Sequence, residues 1–108
     1  MLAAGTGRTD ITPPIGIAHA GWGAQSHEGA EGIDMPLTIT ALVIESSGNT
    51  TASERIAILD IDTCMLVDAY DIVIRRAVNE ATGIHHSNQR IAYTHTHSGP
   101  IEGLSWIA

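Results

Sequence analysis

The 108-residue chain is predicted to be a single α/β domain: a mixed β-sheet in β-β-β-α-β order. Three observations predict it. Short segments rich in β-branched residues and Leu are separated by Gly, Pro and polar turns. One segment, Leu66–Ala81, has the 3.6-residue period of an amphipathic helix. That helix lies between two strand-like segments, the arrangement of a crossover connection in a sheet. A chain of this length holds one modest core and not two domains.

The first strand is read near Ala3–Thr12, ended by Pro13-Pro14, which supply no backbone donor. A long irregular loop follows over His19–Met35, carrying Gly21-Trp22-Gly23 and two histidines. Leu37–Glu45 alternates as a second strand, with Leu37, Ile39, Ala41 and Val43 on one face. Ser46–Glu54 is a polar turn. Ile56-Ala57-Ile58-Leu59 is continuously apolar, which predicts a central strand covered on both faces and ending in Asp60-Ile61-Asp62. In the helix, Leu66, Tyr70, Val73, Ala77 and Ala81 form the expected buried stripe. Asp68, Asp71, Arg75 and Asn79 lie on the opposite side, where Asp71 and Arg75 have pairing spacing. Gly83 ends the helix, and Arg90–His95 forms the last strand before Ser98-Gly99-Pro100.

Composition excludes several classes of function. Twelve acidic residues against five basic ones give a formal charge of −7, and all five basic residues are Arg. That leaves no basic patch for a nucleic acid partner. A lone Cys64 excludes an internal disulfide framework and a cysteine-based zinc cluster, and it reads as a small core residue. No apolar run approaches the ~20 residues of a membrane span. The N-terminus has no signal-peptide pattern, so a cytoplasmic location is expected, with export and removal of a leader as the alternative. The apolar C-terminal Gly103-Leu104-Ser105-Trp106-Ile107-Ala108, with only 4% aromatic residues overall, reads as part of a longer chain.

The densest chemistry lies in Thr94-His95-Thr96-His97-Ser98-Gly99-Pro100. On a strand, residues i and i+2 share a face, so His95 and His97 would present two imidazoles to one site at a strand's carboxyl end. Neutral imidazole suits zinc. The spacing alone is equally compatible with two histidines on an exposed edge strand. At the end of the apolar strand, a carboxylate is placed to ligate a hard cation such as Ca²⁺ or Mg²⁺ or to fix a histidine through its second ring nitrogen, or else Asp62 or Thr63 caps the following helix, and spacing favours the cap. His85-His86 reads as a solvent-facing pair, and His19 and His27 lie in the Gly-rich loop, where a metal role is not favoured. No P-loop, dinucleotide fingerprint or nucleophile elbow is present.

Four segments occur in one order: Gly5-Thr6-Gly7-Arg8-Thr9-Asp10-Ile11-Thr12-Pro13-Pro14, Gly21-Trp22-Gly23, Ala41-Leu42-Val43-Ile44 and the Thr94–Pro100 motif. Together they resemble the start of the neutral/alkaline non-lysosomal ceramidase family, over about Ala4 to Gly103. The resemblance implies that residues 1–108 are the N-terminal part of a ceramidase-like catalytic domain. It further implies a zinc amidohydrolase that splits the amide of an N-acyl sphingoid base with a metal-activated water. By that resemblance His95 is a zinc ligand, His97 is a catalytic residue facing the substrate, and Asp62 is a ligand of a second ion, calcium or magnesium. The family's other zinc ligands, a His, a Glu and a Tyr, would lie beyond Ala108, so these residues alone are expected to be inactive. Two segments depart from the family pattern. Ile101-Glu102-Gly103-Leu104 replaces a small, Gly-rich stretch, and Gly32–Leu37 lacks the usual basic and aromatic character. These departures extend the expected partner to any small lipid-like amide, or an ester. The reading from another class is a non-catalytic fragment or metal-binding scaffold.

Overall fold

A computed structural model describes residues 2–19, 26–46 and 54–100. Gly21-Trp22-Gly23, most of the Ser46–Glu54 turn, and Ile101-Glu102-Gly103-Leu104 lie outside the described residues. Among the described residues there is a four-stranded mixed sheet and one long helix, as the α/β reading expects. In chain order these are β1 (Leu2–Asp10), β2 (Thr38–Ser46), β3 (Arg55–Ile61), α1 (Asp68–Thr82) and β4 (Gln89–Tyr93), with a 3-10 turn at His86–Asn88. The strands lie in the order β1-β2-β3-β4. The β1–β2 and β2–β3 pairs are antiparallel, and α1 carries the chain across to a parallel β4.

β1 stops at Asp10, before the prolines. Asp10 turns its carboxylate onto the Thr12 amide at 2.8 Å, while the Ile11 amide donates to the Leu37 carbonyl at 2.8 Å. In β2, the face expected to be buried does pack inward. Ile39, Ala41 and Val43 lie against Ala57 and Leu59 of β3, with Ile84, Ile74, Val78 and Ile91 completing the core.

Two expectations fail here. The continuous apolar run of β3 reflects its central place in the sheet, but only one face is covered among the described residues. Ala57, Leu59 and Ile61 are buried, whereas Ile56 is 44% exposed and Asp60 is exposed. The helix also packs through a different stripe. Asp71, Ile74, Arg75, Val78, Asn79 and Thr82 turn inward, leaving Tyr70 and Val73 50% and 56% exposed. The reason is polar. Behind α1 run the carbonyls of Ile84, His86 and Gln89, which accept from Asn79 (3.2 Å) and from Arg75 (3.3 and 2.9 Å). Facing these side chains to solvent would have left those carbonyls without those donors. The helix ends as expected at Gly83, whose φ of 74° lets its amide reach the Asn79 carbonyl at 2.7 Å.

Candidate metal centre

The parallel β3–β4 pair brings the carboxyl ends of two strands side by side, with Ile61 opposite Tyr93. The pairing runs past the strands, since the Thr94 amide donates to the Ile61 carbonyl (3.1 Å) and the His95 amide to the Thr63 carbonyl (3.0 Å). Cys64 and His95 are thereby neighbours. Sγ of Cys64 lies 3.6 Å from Nδ1 and 3.9 Å from Nε2 of His95, and 4.0 Å from Nε2 of His97. The two imidazoles meet edge to face with centroids 5.1 Å apart. One donor atom from each of the three residues falls within 4.8 Å of the others, so the group can hold a metal ion. Cys64 is half-buried in this cluster and is not the core residue that its isolation in the sequence suggested. The sign of it was its place two residues after Asp62, at the end of the strand that pairs with the histidine strand.

The two histidines come together for a different reason from the expected strand alternation. β4 ends at Tyr93, and His95 has a left-handed backbone with φ of 61°, unusual for a residue with a Cβ. That turn swings its ring onto Cys64, where Nδ1–H donates to the Cys64 carbonyl at 2.9 Å. A ring fixed in this way presents Nε2 as its free lone pair. His97 is held differently. Its Nδ1 is shut away from solvent with no hydrogen-bond partner among the described residues, an arrangement that costs about 1–3 kcal/mol.

Asp62 stands apart from this group. One carboxylate oxygen accepts from the Thr38 amide at 2.8 Å and the Thr38 hydroxyl at 3.3 Å, and the Asp62 amide returns a bond to the Thr38 carbonyl at 3.0 Å. The helix-cap reading fails, because α1 starts at Asp68 with Val67 in the cap position and no side-chain cap bond. Asp62 also borders a cavity of about 440 Å³, lined with Pro13, Ile15, Met35 and Leu37. Thr96 and Ser98 line the same cavity, whereas the intervening His97, with His95 and Cys64, does not. The motif therefore separates two environments, a mostly apolar cavity holding Asp62 and a face holding the sulfur and both imidazoles. An antiparallel bridge from His19 to Pro100 ties the Gly-rich loop to the end of the motif. His19 meets His27 edge to face at 5.1 Å, and His85 takes the Ser87 amide onto Nδ1 at the opposite end of β4.

The donor set of one thiol and two imidazoles fits zinc, which accepts sulfur and nitrogen ligands and, in catalytic sites, leaves a position open. No protein-family model matches the chain, and no curated protein matches it significantly. No helix among the described residues is long and apolar enough to cross a membrane.

Proposed function

We propose that this protein is a zinc-dependent hydrolase of acyl amides, of the ceramidase kind, acting on ceramide or a related lipid-like amide or ester. One observation carries the reading: the second ring nitrogens of the two histidines are treated differently. Metal-ligating histidines almost always give their other N–H to a carbonyl, carboxylate or water. His95 does so, through the Cys64 carbonyl at 2.9 Å, and is the zinc ligand. His97 has no such partner among the described residues, while its Nε2 lies 4.0 Å from the Cys64 sulfur. It stays outside the ligand set and donates to the acyl oxygen as that oxygen gains charge. Bound zinc supplies a water of lowered pKa and polarises the acyl carbonyl. Asp62, across the motif, belongs to a separate site for calcium or magnesium.

The test compares His95→Ala with His97→Ala. Zinc content by elemental analysis is read on the 108-residue chain, and hydrolysis of an N-acyl amide on the longest product of its reading frame. His95→Ala is expected to lose most of the zinc together with the activity. His97→Ala keeps the zinc and loses on the order of 10²–10³ in kcat, as for a single oxyanion donor. Equal loss of zinc in both makes both histidines ligands. No change in either leaves the motif as scaffold and the chain without catalysis.

A further inference from the structure

We propose that the face of the sheet turned away from α1 docks a second copy of this chain, sheet against sheet. The proposal does not depend on the zinc-hydrolase reading. Side chains alternate along each strand, so the register sorts them into two faces. Ile39, Ala41 and Val43 turn to the helix with Ala57, Leu59 and Ile91, and the residues between them turn away. At the middle of that second face, Ile44 is paired with Ile56 and Leu42 with Ile58. Leu42, Ile44 and Ile58 are half-buried and Ile56 is 44% exposed, with no described element lying over them. An aliphatic patch at the centre of a sheet is what a second sheet covers in a sandwich. Charge points to the occupant. The whole chain carries −7, which drives copies apart. Around the patch, however, the strands present Arg8 and Arg90 against Asp10 and Asp60, all exposed, so this face has no net charge. None of the four is in an ion pair among the described residues. Arg8 reaches only the Thr40 hydroxyl, at 3.0 Å, which sets its guanidinium beside the strand pair that carries Asp60. A two-fold axis running between β2 and β3, parallel to both, makes the face complementary to itself. It lays Leu42 over Ile58 of the second copy and Ile44 over its Ile56. It also brings Arg8 within one strand of the second copy's Asp60, a span its side chain can cross between sheets ~10 Å apart.

Sedimentation equilibrium of the 108-residue chain over a dilution series is the test, run with a chelator so that the metal centre plays no part. A monomer–dimer equilibrium is expected. Ile58→Glu, which buries a carboxylate in the aliphatic contact, should raise the dissociation constant at least about tenfold. Where that variant fails to fold, the exposed charges carry the test. Arg8→Asp and Asp60→Arg should each weaken the dimer about tenfold, by setting like charges across the interface. The double variant, with the pair exchanged, should recover the wild-type constant. A monomer at every concentration overturns the proposal, whether or not another part of the same chain then covers the face. Association that Asp60→Arg leaves unchanged places the contact at the free edge of β1 and overturns it too. Weakened single variants without recovery in the double overturn the pairing of Arg8 with Asp60, and with it this packing.

Discussion

Asp62 shows how one side chain carries a structural duty beside a proposed chemical one. Its carboxylate holds the first residue of β2 through the amide and hydroxyl of Thr38. Asp62→Asn weakens charge-assisted bonds and should cost about 1–2 kcal/mol in any buffer. If the carboxylate also binds a hard cation, calcium stabilises only the folded wild type, and the loss becomes larger in calcium than in chelator. Thermal melts of both proteins in the two buffers decide this, and equal losses leave Asp62 as a strand clamp only. At this scale the sequence was uneven in what it disclosed. His95, His97 and Asp62 stand out because their types and spacings are local signals. Cys64 does not, because its meaning depends on the register that places Ile61 beside Tyr93, and no stretch of neighbouring residues encodes that pairing. The positive φ at His95 is equally silent, since nothing about a Thr-His-Thr-His run announces a left-handed turn.

Helix α1 is fastened to β4 by polar contacts as much as by its apolar residues. The Tyr93 hydroxyl donates to one oxygen of Asp71 at 2.7 Å, and Arg75 Nε reaches the other at 2.6 Å. Both bonds hold the Asp71 carboxyl below its usual range, the Tyr93 bond most strongly. Burial first, and the bond to Asp71 second, push the Tyr93 hydroxyl up to about 12. The signs follow from linkage. A proton held more tightly in the folded state means that the contribution of Tyr93 is complete below pH 10, its ordinary value, and is lost between there and about 12. Asp71 contributes above its ordinary value of 3.8 and loses that contribution as the pH falls through the lower folded value. Urea denaturation of the wild type should therefore show stability declining from about pH 10 upward, and Tyr93→Phe should remove that part of the decline. An unchanged alkaline slope in Tyr93→Phe would assign the loss to other groups. The same contacts explain why the helix was legible in extent but not in orientation. Its period, its Gly83 stop and the Asp71–Arg75 pair were readable, but the expected apolar stripe faces outward. Carbonyls contributed by residues after the helix drew Arg75 and Asn79 inward, and hydrophobic periodicity carries no information about such acceptors.

For the whole molecule, element order was readable because each strand and the helix has its own period and its own stop. The coverage of the sheet was not, because continuous apolar sequence records a strand's centrality and not what lies over it. Among the described residues only Ala57, Leu59, Ile61 and Ile84 are buried apolar residues, and β1 is exposed throughout. The radius of gyration is 16.4 Å, against about 13 Å for a compact chain of this length. A core this small, beside an open strand edge, predicts that the 108-residue chain melts at low temperature or associates with itself. Size-exclusion chromatography over a dilution series, with thermal melting, tests it; a concentration-independent monomer with a sharp, high melt contradicts it. The parallel pairing of β3 and β4 then acquires a second meaning. Cys64 and His95 are 31 residues apart in the chain, and the segment between them contains all of α1. The backbone bonds from the Thr94 amide to the Ile61 carbonyl and from the His95 amide to the Thr63 carbonyl close that segment into a loop that contains the helix. In a fold with so little buried, those two backbone bonds are the rivet that keeps the edge strand β4 from fraying.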